Sequence, residues 1–196
     1  MTSPPGESAP QVGRFIDGGM GPFNDPSLQA LMYVSLAGYN LRWPLGSDRL
    51  LMVSLGTGAF DEPKPPPVPG PVGDAFRAFF SLMNDNQKLI RQLMQWMSEG
   101  PTASRIDGEV GDLSQDLLGG APLLSYVRYD ADLTPRGVGP LLSRLPVKPT
   151  PGQLETLHEM DNATNVPFLW EVGRTTGRDR LDEAHFPVAF DIDPAP

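Results

Sequence analysis

The chain has no cysteine and only two histidines in 196 residues. The first absence excludes disulfides, thiolate metal sites and a cysteine nucleophile, and leaves the redox compartment open. His158 and His185 are too far apart along the chain to form a local metal-ligand pair, so both read as surface or packing residues, and neither a metal nor a cofactor is expected. Long apolar runs are missing too. No window reaches the ~18 apolar residues that span a bilayer, and the opening "MTSPPGESAPQVGR" has no apolar h-region of a signal peptide. The chain therefore reads as soluble and cytoplasmic. Basic residues are scarce: 15 Lys and Arg face 24 Asp and Glu, for a net charge of -9. Nucleic-acid binding depends on cations neutralising phosphates, and no basic cluster here offsets the deficit.

What is abundant is proline and glycine, 23 and 21 residues, a share just under the range in which low complexity becomes the better reading. The chain is long enough for one ordinary domain, or most of one, with ordered blocks separated by loops. Residues 1–12 form a polar, Pro-rich lead, expected to be disordered, and residues 13–17 suggest a short strand. Asp25 can accept unpaired first-turn amides as an N-cap, and Pro26 suits the first helical position. The pattern predicts a helix over 26–37, burying Leu28, Leu31, Met32 and Ser35 and stopping at Gly38. "RLLMVSLGTG" (49–58) reads as a parallel strand buried on both faces. The segment 62–73 is too proline-dense for helix or strand and reads as an extended connector.

Beyond it lies the longest helix the periodicity predicts, with Phe76, Phe79, Phe80, Met83, Ile90, Leu93, Met94 and Met97 at helical spacing, ended by Gly100 and Pro101. Such a stripe packs on a sheet, or, with Trp96, serves as a lid or a lipid-facing helix. Residues 122–133 read as a strand, and 151–161 and 163–174 as two helices. Asp179, Asp182, Glu183, Asp191 and Asp193 face Arg180 alone and read as solvated, with 191–196 an acidic tail. No internal repeat is visible.

An aspartate at a strand end, followed by two glycines and a capped helix, sits where loops on a sheet rim build active sites. That aspartate is Asp17, and Gly18 and Gly19 would supply the tight turn, which commonly calls for positive φ and close backbone approach. Taken with its surroundings, "FIDGGMGPFNDPSLQAL" followed about twenty residues later by "LLMVSLGTG" resembles the patatin-like phospholipase family, in which a D-G-[GA] aspartate precedes an N-x-P helix start and a V-S-L-G-T-G strand. The stretches "LSYVRYDADL" and "LHEMDNATNVPFLWEVGR" are similar to the C-terminal part of bacterial members. The resemblance covers roughly residues 12–190. It implies an α/β fold with a mainly parallel sheet covered by helices and a helical C-terminal region, residues 13–190 being the C-terminal portion of a single domain. It also implies a serine–aspartate dyad that cleaves lipid acyl esters without a cofactor. Asp17 would be the general base, taking the serine's proton directly, a task that partial burial beside apolar neighbours favours by raising proton affinity. The implied partners are a lipid or acyl-ester substrate and a transient contact with a membrane surface.

The chain departs from the family pattern at one decisive place. It contains no G-x-S-x-G, and no Gly-rich oxyanion loop precedes Asp17. "GESAP" has Pro10 where the elbow needs glycine, which dismisses Ser8. Ser54 lies inside a predicted strand and reads as structural. The "GTG" at 56–58 could cradle an anion but lacks the Lys and following Ser or Thr of a phosphate loop. Asn162-Ala-Thr164 fits a glycosylation sequon, which carries weight only in a secreted chain. Three readings follow: the base-bearing portion of a lipid acyl hydrolase, inactive alone; a catalytically inactive interaction or regulatory protein; and a nonfunctional gene fragment. The lipid, the oligomeric state and any activator stay open.

Overall fold

A computed structural model describes residues 18, 21, 23–60, 70–157, 159 and 162–192. The expected lead at 1–12, the strand at 13–17 and most of the proline-rich connector lie outside the described residues. The fold is α/β, built on a small open parallel sheet. In chain order the elements are α1 (Ser27–Ser35), β1 (Leu51–Leu55), α2 (Pro71–Met97), β2 (Ser98–Glu99), β3 (Leu124–Tyr129), α3 (Pro135–Val138), α4 (Pro151–Glu155) and α5 (Val166–Arg180). The strand order is β1-β3-β2, and both pairings are parallel, with Leu51 opposite Ser125 and Ser98 opposite Leu124.

α1 and α2 cover one face of this sheet. Leu31 of α1, Ile90 and Met94 of α2, and Leu50, Leu124 and Tyr126 from the sheet form one buried cluster, flanked by Leu28, Val34, Met52 and Met97. A second cluster gathers Leu133, Val138, Leu145, Leu157, Phe168 and Val172 from the C-terminal part of the chain. Because alternate strand residues face opposite sides, Met52 and Ser54 turn toward α1 and α2, whereas Val53 and Leu55 turn away.

Several expectations are corrected. β1 is parallel, but it is not buried on both faces. Among the described residues it has a single strand neighbour, and Leu55 is 75% exposed. The helix layer reaches only its Met52 side. In α1 the helix starts at Ser27 and ends at Ser35, and Met32 is exposed while Val34 packs on the core. Pro26 rather than Asp25 takes the N-cap position and no side chain caps the helix; Asp25 instead organises the turn leading into it, its Oδ1 accepting the Ser27 N–H (3.1 Å) and hydroxyl (2.6 Å). α2 begins at Pro71, inside the segment expected to be connector, because proline is well suited to the first helical turn. Its core contacts concentrate at Ile90 and Met94, while Val72, Leu82 and Leu89 are exposed.

The segment 122–133 yields the shorter β3, followed by a bridge between Ala59 and Asp132. The helix expected over 151–161 closes after Glu155; Thr150 and Gln153 form its reciprocal capping box. α5 runs on to Arg180 rather than stopping at 174. Arg178 and Arg180 in its last turn complement the negative end of the helix dipole. The acidic run from residue 179 is therefore not simply a solvated tail. Asp179 belongs to α5 and forms a two-pronged pair with Arg144 (2.6 and 2.7 Å).

Candidate functional site

Asp17 and Gly19 lie outside the described residues. Gly18 is half-buried; its carbonyl accepts the Gly21 N–H (3.0 Å), and a Cβ there would meet Phe23 at ordinary van der Waals distance. Its φ is not in the left-handed region, so the positive φ expected of this glycine turn is absent at Gly18.

The polar centre of the described fold lies at the carboxyl ends of β1 and β3, the rim at which open parallel sheets usually hold their ligands. Arg128, near the end of β3, is its hub. One guanidinium nitrogen, Nη1, donates to Asp25 Oδ2 (3.0 Å) and to Ser54 Oγ (2.6 Å); the other, Nη2, donates to Asp130 Oδ2 (3.0 Å). Ser27 Oγ lies 3.3 Å from Ser54 Oγ and 3.4 Å from the Tyr126 hydroxyl. The Asp25 side chain is only 4% exposed. A charge so poorly hydrated requires a counterion, and Arg128 supplies it. Burial alone would lower the affinity of Arg128 for its proton; Asp25 first, then Tyr126 and Asp130, outweigh it and push the guanidinium above its usual range.

The glycines of "SLGTG" are explained by the same cluster. A Cβ on Gly56 would overlap the Asp130 carboxylate, and one on Gly58 would overlap Leu133. Gly58 also adopts φ +115°, which L side chains rarely adopt, and its N–H donates to Asp130 Oδ1 (2.9 Å). The Gly58 amide, expected to be free to cradle an anion, is held by the protein's own carboxylate. Among the described residues Ser54 Oγ accepts from Arg128 and from Ser27, and no carboxylate hydrogen-bonds to it.

The sequence reading named Asp25 only as a helix cap and missed Arg128 and Asp130. The signal was present in "YVRYD". Arg128 stands on the same strand face as Leu124 and Tyr126, which turn inward, and Asp130 stands two residues on. An inward arginine calls for an acid within reach.

His185 accepts or donates one hydrogen bond with the Tyr129 hydroxyl at Nδ1 (2.9 Å), a packing contact between the sheet and the C-terminal segment. Burial, then the Asp182 charge, pushes the Tyr129 phenol up, against a hydrogen bond from the Asp182 backbone. His158 lies outside the described residues. Asn162 Oδ1 accepts from the Thr164 N–H and hydroxyl, a local turn. Among the described residues no group of three or more His, Asp or Glu side chains is placed to hold a metal ion, and no helix is long and apolar enough to cross a membrane. No family model, curated protein or solved structure matches the chain.

Proposed function

We propose that this chain is the base-bearing, C-terminal portion of a patatin-like lipid acyl hydrolase. Asp17 is the general base of a serine–aspartate dyad whose serine and oxyanion amides come from a G-x-S-x-G segment that this sequence does not contain. One observation carries the reading. The "NDPS" helix start and the "VSLGTG" strand, on whose order the resemblance rests, meet at the carboxyl rim of a parallel sheet, where Ser27 Oγ approaches Ser54 Oγ and Arg128 ties Ser54 to Asp25. Parallel pairing of β1 with β3, under a layer made by α1 and α2, also suits the expected architecture.

In this reading Asp17 removes the hydroxyl proton as the serine attacks the ester carbonyl, and returns it to the departing alcohol. A second attack, by water, frees the fatty acid. The chain alone lacks both the attacking oxygen and amides aimed at the developing oxyanion, so it hydrolyses no ester above background.

The test joins residues 1–196 to, or mixes them with, an upstream portion carrying G-x-S-x-G and its glycine loop, and measures hydrolysis of short acyl esters. Esterase activity is expected to appear. Asp17→Asn should then lower turnover by about 10² to 10⁴, the usual share of general-base catalysis, with folding nearly unchanged. Asp85→Asn, on an exposed position of α2, should leave it intact. Equal activity in both variants would reduce Asp17 to a turn residue and remove the reading.

A second reading, an interaction or regulatory protein without catalysis, is favoured by the absence of G-x-S-x-G from the sequence. No activity in any reconstitution, with a folded chain, would support it.

A further inference from the structure

α2 carries two apolar faces, and the core uses one of them. Ile90 and Met94 are buried against the sheet, with Met97 beside them. Leu89 precedes Ile90, about 100° round the helix, and is 51% exposed. It belongs to a row that recurs every seven residues: Ala75, Leu82, Leu89 and Trp96 are all exposed, Leu82 by 63%. Three residues before each of these stand Val72, Phe79, Asn86 and Leu93; Val72 is 61% exposed and the other three are half-buried. Alternating steps of three and four along a helix define the seam of a coiled coil. Of its eight positions only Asn86 is not apolar. The seam runs nearly the full length of α2, about 36 Å from Val72 to Trp96.

A helix with the same seam covers such a face best, and a second copy of this chain supplies one. The single polar position and the flanking charge select the arrangement. If two α2 helices ran antiparallel over the whole seam, Val72 would face Trp96, and Asn86 would face Leu82, leaving an amide against a leucine. The two Asp85 carboxylates, which flank the seam, would also meet near the two-fold axis. In a parallel, in-register pair Asn86 meets Asn86 of the second copy, and the two amides satisfy each other. One asparagine at such a position fixes register and a two-stranded state. Asp85 then lies beside Ile90 of the other helix rather than beside a like charge. The seam side chains of two copies together offer roughly the 1,000 Å² that a specific interface requires.

We propose that α2 pairs with α2 of a second copy of this chain, as a parallel, in-register coiled coil along the Val72–Trp96 seam, making the protein a closed two-fold dimer. The strict seven-residue repeat gives the pair a left-handed supercoil. The pairing uses neither Asp17 nor the Arg128 cluster and is read without acyl turnover, so it and the acyl hydrolase reading can fail separately. It also differs from association through the edge of β1, which has no natural limit at two copies.

The experiment measures the mass of the full chain by sedimentation equilibrium. A reversible dimer is expected, and it should persist when Val53→Lys and Leu55→Lys block the strand edge. Leu82→Lys with Leu89→Lys should weaken dimerisation by at least about a hundredfold, because two leucines leave the seam and two charges enter it. The circular dichroism spectrum should not change, since both positions are exposed in the single chain. Orientation is read by cross-linking. The chain has no cysteine, so Leu89→Cys is a single reporter, and mild oxidation should join two chains through it. The antiparallel pair, with Leu89 opposite Phe79, would not form that link but would form one through Asp85→Cys. A monomer at every concentration, parental dimerisation in the double-lysine variant, or a link through Asp85→Cys in preference to Leu89→Cys would each overturn the proposal. So would association that is lost in the Val53, Leu55 variant and kept in the Leu82, Leu89 variant, which would place the second copy on the sheet edge. Should the double-lysine variant misfold, the Leu89→Cys link, which leaves the rest of the seam intact, decides.

Discussion

Arg128 holds more of this fold together than its position near the end of a strand suggests. It neutralises Asp25 and Asp130, and both acids also organise backbone: Asp25 the start of α1, Asp130 the Gly58 turn. Removing the cation would strand two poorly hydrated carboxylates. Breaking a buried pair from one side typically costs about 3 to 5 kcal/mol, and the partial exposure of Arg128 and Asp130, 16% and 18% at the side chain, places the expectation at the lower end. Arg128→Gln is therefore expected to destabilise the chain by about 3 kcal/mol, read as a lower urea midpoint with unchanged slope. A loss below about 0.5 kcal/mol, the scale of a surface substitution, would mean that water or another group solvates these acids. The same network makes Asp25 unsuitable as a neutral control for Asp17, since Asp25→Asn would alter an ion pair as well as the turn into α1.

At the scale of elements, α5 is tied to the segment after α3 by Asp179 and Arg144. The arginine's hydrogen bonds, the largest influence, hold the Asp179 carboxyl below its usual value. A group whose folded pKa is depressed stabilises the fold above its unfolded value, and that contribution is lost as pH falls through the folded value. With an ordinary aspartate near ~3.9, the loss belongs below about pH 4. Carboxyl-detected NMR titration should show Asp179 titrating below ordinary aspartates. Arg144→Gln should return it to the usual range and remove its share of the acid-induced fall in thermal midpoint. Exposed pairs contribute little to stability, so the titration is the sharper readout. α5 outruns its sequence pattern although Thr175, Thr176 and Gly177 are weak helix formers; Thr175 is buried, and Asp179 beyond them pairs with Arg144.

At the scale of the molecule, the sheet is open at β1 among the described residues. Val53 and Leu55 face away from the α1 and α2 layer, and Leu55 is among the most exposed apolar side chains. An uncovered apolar strand at a sheet edge is a template for pairing with other chains. The isolated chain is expected to self-associate with rising concentration in sizing chromatography and to bind an apolar dye. Val53→Lys with Leu55→Lys should reduce both, because edge lysines oppose strand addition. A monodisperse monomer with a cooperative thermal transition and no dye binding would show that β1 is adequately covered.

The sequence by itself determined the α/β class, the parallel strand at "LLMVSL" and the long helix ending before Gly100. Each depends on local preference or on periodicity within one segment, which a chain carries wherever it folds. Only the tertiary structure decided which strand faces were covered, how far α5 ran, and that Asp25, Ser54, Arg128 and Asp130 form one cluster. Those outcomes depend on groups as far as 103 positions apart, the separation of Arg128 from Asp25. The apolar run of β1 looked doubly buried because hydrophobicity records what a segment can bury, while burial itself requires a layer on each side. The glycines of "SLGTG" suggested an anion cradle for the same reason. A small residue records that something approaches closely, and the fold alone shows that it is Asp130 and Leu133.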